Sequence, residues 1–197
     1  MCIQKLNEIL IIACQYGNLK IVRYLVECGA DLTANNNSAV RWASRNGHLE
    51  TVRYLVQCGA DPTADDNLAI QWASRDGQLE TVRYLVECGA DATASDNIAV
   101  QWASRDGHLE TVRYLVYCGA DITANSNAVQ WASRNGHFET MRYLVEQGAY
   151  PTADNNLAVR LASRKGHLET VRYLVHMVLI RQQTIASSTP GITNWSY

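Results

Sequence analysis

Residues 29–58 read GADLTANNNSAVRWASRNGHLETVRYLVQC, and the same pattern returns down most of the 197-residue chain. Its opening glycine recurs at Gly29, Gly59, Gly89, Gly119 and Gly148, in steps of 30, 30, 30 and 29. A tryptophan follows at Trp42, Trp72, Trp102 and Trp131. Thirteen positions separate Gly89 from Trp102 but twelve separate Gly119 from Trp131, so one residue is missing from the loop around Ser126. Self-similarity at this period is the signature of stacked repeats.

Within one unit, Ala39, Trp42 and Ala43 fall at i, i+3 and i+4, which predicts a short helix. Asn37 stands where its side chain would accept from the unpaired amides of that helix's first turn, and Gly47 supplies the left-handed residue that ends it. A second helix buries Leu49, Val52, Leu55 and Val56 on one stripe and pairs Glu50 with Arg53 in solvent; Gly59 closes it. Two antiparallel helices of this length cannot bury their apolar faces alone, so neighbours must stack and the core must run the length of the array. The tryptophan column is expected to be its spine, because an aromatic stripe at helical spacing belongs to a core far more often than to a cofactor site.

The run Ala43, Ser44, Arg45, Asn46, Gly47, His48, Leu49, Glu50, followed by Tyr54, Leu55, Val56 and then Gly59, Ala60, Asp61, resembles the ankyrin repeat. The resemblance covers residues 1 to 176. It implies an all-α fold, an ankyrin-repeat solenoid of about six stacked helix-turn-helix repeats with short, truncated loops. The repeats fall at about 1–28, 29–58, 59–88, 89–118, 119–147 and 148–176, with an atypical tail at 177–197. The 30-residue unit is similar to those of ankyrin proteins from giant, mimivirus-like viruses of amoebae. Two features depart from the family. Ser38, Ala39, Val40 and Arg41 replace its T-P-L-H, and the loop before the first helix is about three residues shorter than in a 33-residue unit, which shortens the finger.

The end units differ, as solenoid ends must. Aligning Gly17 with Gly47 sets Ile12 under Trp42 and Asn7 under Asn37, while the last unit has Leu161 for tryptophan and Tyr150 for aspartate. The codons of Met177 and Val178, read from the last base of the first, necessarily spell glycine. In that frame Leu179 and Ile180 allow alanine then aspartate, and Pro190 with Gly191 allows a tryptophan thirteen places after the glycine. Residues 177–197 thus read either as an unstructured tail or as a frameshifted seventh repeat.

Composition narrows the function. A formal net charge of −2 and a pI near 6.2 provide no basic field to draw nucleic acid or anionic lipid. The apolar stretch Ile9 to Ala13 is too short, and too poor in preceding basic residues, for a signal peptide, and no run reaches a membrane-spanning length. His48, His108, His137 and His167 form a ladder with Gln78 in one rung; packed helices lie about 8–10 Å apart, so no zinc-like cluster forms. In the resembled family this histidine braces adjacent loops. Cys28, Cys58, Cys88 and Cys118 repeat likewise, too far apart to bridge, and with Cys2 and Cys14 they fit an intracellular, reducing compartment, the host cytoplasm or nucleus if the protein is viral. No nucleophile–base set, phosphate loop or buried carboxylate pair occurs. The expectation is a non-enzymatic chain without cofactor or metal.

The resemblance also implies a partner surface. In the family, the two residues before the Gly-His pair lie on the concave face; here they are Arg45 and Asn46, Arg75 and Asp76, Arg105 and Asp106, Arg134 and Asn135, Arg164 and Lys165. Arg41 and Arg160 extend this row one turn back, where other repeats carry Gln71, Gln101 and Gln130. Forked guanidinium groups at each repeat suit an acidic segment of a protein partner; the competing reading is that they pair with Asp76 and Asp106. Tyr117 interrupts a column of Glu27, Gln57, Glu87 and Glu146 and is a candidate aromatic anchor. The finger tips 35–37, 65–67, 95–97 and 154–156 read as turn and capping residues. The functions in view are a protein-interaction scaffold, a substrate-recruiting adaptor for host ubiquitin machinery, and nucleic-acid binding through the arginine row. The chain is expected to be a monomer or to self-associate weakly through its uncapped last repeat, where Leu161 and Val171 need cover.

Overall fold

The computed structural model describes residues 3–123 and 127–188. The shortened loop around Ser126, Cys2 and the segment with Pro190 and Gly191 lie outside the described residues. Regular structure among the described residues is all helical: α1 Ile3–Gln15, α2 Leu19–Glu27, α3 Ala34–Arg45, α4 Leu49–Gln57, α5 Ala64–Arg75, α6 Leu79–Glu87, α7 Ala94–Asp106, α8 Leu109–Tyr117, α9 Asn127–Asn135, α10 Phe138–Glu146, α11 Ala153–Lys165 and α12 Leu168–Ser188. Odd-numbered helices pack on one another in chain order as a first layer, and even-numbered helices form the second. The helix-turn-helix stack read from the period is therefore present.

Each helix pair turns on a glycine. Gly47 has φ +71°, and the His48 amide bonds back to the Ala43 carbonyl at 3.0 Å. Gly59, at φ +100°, ends α4 in the same way, with the Ala60 amide on the Leu55 carbonyl at 3.0 Å. This left-handed cap satisfies carbonyls that a helix end would otherwise leave unpaired. The next residue, Asp61, takes both the amide and the hydroxyl of Thr63 on its Oδ1, at 2.8 and 2.7 Å, and the same pair recurs at Asp31, Asp91 and Asp121. Gly-Ala-Asp-x-Thr is thus a cap followed by a carboxylate-closed turn.

The finger tips differ from the capping role expected of them. Three successive residues in each, such as Asn35, Asn36 and Asn37, adopt φ between 52° and 58°, and right-handed helix begins only at Ser38. The same occurs at 65–67, 95–97 and 154–156. Asparagine and aspartate fill all but one of these positions because they tolerate the left-handed region best among residues with a side chain. Asn37 does not cap its own helix. Its Oδ1 accepts the Asp61 amide of the next repeat at 2.9 Å, and Asn7, Asn67 and Asn97 do the same for Asp31, Asp91 and Asp121. The asparagine column is an inter-repeat tie. Asn67→Ala is expected to cost about 1–2 kcal/mol, chiefly because the Asp91 amide loses its partner; urea unfolding checks this, and a cost near zero would mean that water replaces the tie freely.

The spine is aliphatic, which corrects the expectation placed on tryptophan. Val40, Ile70, Val100 and Val129 from the first helices and Val52, Leu55, Val82, Leu85, Val112 and Leu115 from the second are at most 1% exposed. Trp42, Trp72, Trp102 and Trp131 are half-buried and stand outside this cluster. Alanine at 39, 43, 69, 73, 99 and 103 lets the helices approach closely, and the bulky ring is displaced to the flank.

Two further ladders bind neighbouring repeats. The His48 Nε2 lies 3.1 Å from the Gln15 carbonyl, and its ring sits so close to Gly17 that a Cβ there would meet Nδ1 at 2.4 Å. His108, His137 and His167 take the same place over Gly77, Gly107 and Gly136, and Gln78 over Gly47. On the second layer, Arg23 covers the Tyr54 ring at 4.9 Å, Arg53 covers Tyr84 at 4.3 Å, and Arg83 and Arg113 cover Tyr114 and Tyr143 at 4.6 Å each. The sequence reading assigned Arg53 to Glu50 alone. In later units the arginine serves both, with Arg83 also 3.7 Å from Glu80 and Arg113 3.5 Å from Glu110.

At the end of the array, α12 runs unbroken from Leu168 to Ser188, across the point where earlier repeats place Gly-Ala. Met177 packs beside Val145, Ala149 and Pro151. Leu161 and Val171 stay half-buried, and Leu168, Val175, Leu179 and Ile180 are exposed.

Candidate partner surface on the first-helix layer

The displaced tryptophans and the arginine row occupy one surface. Successive first helices carry Trp at one position and Arg three residues on, and guanidinium groups lie over Trp42, Trp72 and Trp131. Arg45 is 5.1 Å from the Trp42 ring and 5.6 Å from Trp72, Arg41 is 5.7 Å from Trp72, and Arg134 is 5.2 Å from Trp131. Trp42 and Trp72 themselves meet edge to face at 5.3 Å. Such contacts stiffen the long arginine side chains and spread them along the helix ends.

Charge along the row is not uniform. Arg45 Nε donates to Asp76 Oδ2 at 3.0 Å, and Arg75 lies between Asp76 and Asp106, at 3.8 and 4.0 Å. Arg105 grips both oxygens of Asp106, with Nε at 2.9 Å and Nη2 at 2.8 Å. That two-pronged bond holds the Asp106 carboxyl below the usual carboxylate range, and the carboxylate holds Arg105 above its usual value. Arg41 is drawn to Asp65 of the next finger at 2.6 Å and to the Asn35 carbonyl and Ser38 Oγ at 2.7 Å. The pairing of arginine with neighbouring aspartate therefore describes Arg41, Arg45, Arg75 and Arg105.

From the fifth repeat onward the pattern stops. Asn135 replaces the aspartate and donates to the Arg105 carbonyl at 2.7 Å. Arg134 contacts the Trp131 ring and no carboxylate among the described residues, and Arg160, Arg164 and Lys165 are exposed with no acidic partner there either. Between α9 and α11 a cleft of about 330 Å³ is lined by Asn127, Gln130, Trp131, Arg134, Leu157 and Leu161. The sequence had singled out Leu161 as a lost tryptophan; the structure adds that the smaller side chain leaves this cleft open.

Tyr117 is 86% exposed, with its ring 6.4 Å from that of Tyr114. It is the last residue of α8, a second-layer helix, and so stands away from the arginine row at the ends of the first helices. The row and Tyr117 do not form one site. No group of His, Cys, Asp or Glu among the described residues is arranged to hold a metal. Cys14 is buried, and burial pushes its thiol up to about 12, away from nucleophilic use. No helix among the described residues is long and apolar enough to cross a membrane.

A linear stack of two-helix units, tied by recurring side-chain ladders and presenting a mixed aromatic and cationic surface, defines the class of helical-repeat scaffolds. A family model for ankyrin repeats matches residues 3–66, 63–126 and 123–184, and the chain belongs to that family. The last match crosses from the sixth repeat into the long extension of α12. No match was found among curated proteins. Ankyrin repeats are generic protein–protein interaction modules, in a family that is typically non-enzymatic.

Proposed function

We propose that this chain is a non-enzymatic scaffold that takes a protein partner on the concave face formed by its first helices, through the tryptophan and arginine columns. The observation that carries this reading is the displacement of four tryptophans out of the core. An indole left half-exposed at the same place in successive repeats, with guanidinium groups over Trp42, Trp72 and Trp131, matches the residue types that dominate protein interfaces. Nucleic-acid binding through the same row is the weaker reading, because Asp65, Asp76 and Asp106 neutralise its first half. The 30-residue unit supports kinship with giant-virus repeat proteins, which would place the chain in a host cytoplasm or nucleus. A role as adaptor for host ubiquitin machinery rests on that kinship alone. Exposed Leu168, Val175, Leu179 and Ile180 support weak self-association at the last repeat.

Affinity capture from host extract with the parent chain and with Trp102→Ala tests the main reading, with Arg113→Ala on the second layer as control. Proteins captured by the parent should fall by about tenfold with Trp102→Ala. Equal capture by all three chains would remove the tryptophan column from the account.

A further inference from the structure

We infer that the contact surface is concentrated in a subsite between the fifth and sixth repeats, shaped for an acidic peptide segment that carries one bulky apolar side chain. This deepens the scaffold reading and rests on it. The chemistry comes from two breaks in the repeat that coincide in space. The first is the exchange of tryptophan for Leu161, which opens the cleft of about 330 Å³ between Trp131, Leu157 and Leu161. Trp42 and Trp72, one repeat apart, instead meet edge to face at 5.3 Å.

The second break is in charge. In the first half of the array Arg41, Arg45, Arg75 and Arg105 of the row each have a carboxylate from their own or the following repeat. At the far end Asn135 takes the aspartate position, and among the described residues α12 runs on through the place where a following finger would offer Arg160 an aspartate, as Asp65 meets Arg41. Arg134 lines the cleft, Arg160 and Arg164 are exposed on α11, the helix that supplies Leu157 and Leu161, with Lys165 at its end, and the acid Asp154 is engaged by Gln130 Nε2 at 2.7 Å. An apolar slot edged by cations excludes basic segments by repulsion and purely apolar ones by leaving desolvated charge. It takes a side chain such as leucine or phenylalanine with aspartates or glutamates on either side, whose carboxylates the guanidinium forks can hold in two-pronged bonds. The paired arginines nearer the N-terminus would have to give up their own aspartates to do the same.

The test is fluorescence anisotropy with the full chain and a fluorescein-labelled nonapeptide bearing one central leucine between acidic residues, beside a central-serine version and a single-stranded oligonucleotide of equal length. Arg134→Ala combined with Arg164→Ala should weaken the leucine peptide by about tenfold or more, and Arg75→Ala by less than about twofold. Leu161→Trp, which refills the slot without changing charge, should make the leucine and serine peptides bind alike. Loss with Arg75→Ala but not with the double variant would overturn the subsite and leave the concave-face reading standing. Absence of peptide binding, or tighter binding of the oligonucleotide, would overturn the subsite as well, while the capture experiment with Trp102→Ala judges the scaffold reading separately. Circular dichroism confirms that the variants remain folded.

Discussion

Gly107→Ala is expected to destabilise the array by about 3 kcal/mol, well beyond the cost of the same change at a left-handed glycine that no side chain covers. Two effects add. Gly107 has φ +82°, a left-handed conformation that costs a residue with a Cβ about 1 kcal/mol. A methyl group there would also lie 2.4 Å from the His137 Nδ1, so the ring must leave its place over the turn, with the loss of a packed contact between repeats worth about 1–3 kcal/mol. Gly59→Ala separates the two effects, because Gly59 has φ +100° and nothing within 4 Å of the added atom. Its cost should be the backbone share alone, about 1 kcal/mol. Equal costs for the two variants in urea unfolding would mean that the histidine ladder contributes nothing measurable to stacking.

The second large effect lies in the core. Ile70→Ala should cost about 3 kcal/mol, because Ile70 is fully buried between repeats and little can collapse into the space it leaves. Trp72→Leu should cost less than about 1.5 kcal/mol, although it removes more atoms. Its ring is half-buried, and what it gives up is an edge-to-face contact with Trp42 and the nearby guanidinium groups. A larger cost for Trp72→Leu than for Ile70→Ala would return the tryptophans to the spine.

This contrast marks how far the sequence could be read. The period, the two helices per unit and the glycine turns were legible because each rests on a local rule, the 3.6-residue spacing or the left-handed cap. The aliphatic spine was not. Val40 and Trp42 are both apolar and two residues apart, and helical spacing cannot say which of the two faces the second layer when alanines on both sides permit either. The asparagine column misled for a related reason. Asn37 has the composition of a helix cap, but its partner is the Asp61 amide, which only the stacking brings near.

The candidate surface was partly legible. Arg45, Arg75, Arg105, Arg134 and Arg164 were singled out through the resemblance to the ankyrin repeat, and the competing pairing with Asp76 and Asp106 was visible in the same residues. What the sequence could not rank was their availability. Arg45 is matched to Asp76 of the following repeat, whereas Arg134 has Asn135 in its own repeat and Lys165 at the matching place in the next. The sign of that difference was present as Lys165 and Leu161, two departures from the unit that fall together in the sixth repeat. The arginine–tyrosine ladder on the second layer had a signal too, an Arg-Tyr pair in every unit. Its meaning depends on a contact between residues thirty-one apart, such as Arg53 and Tyr84.

The most direct measurement of the central claim is site-specific photo-crosslinking of a captured partner, with the photoreactive residue placed in turn at Trp102 and Arg134 on the first helices and at Arg113 and Tyr117 on the second. The account predicts partner adducts from Trp102 and Arg134 and none from Arg113 or Tyr117. Adducts from the second-helix positions alone would contradict it.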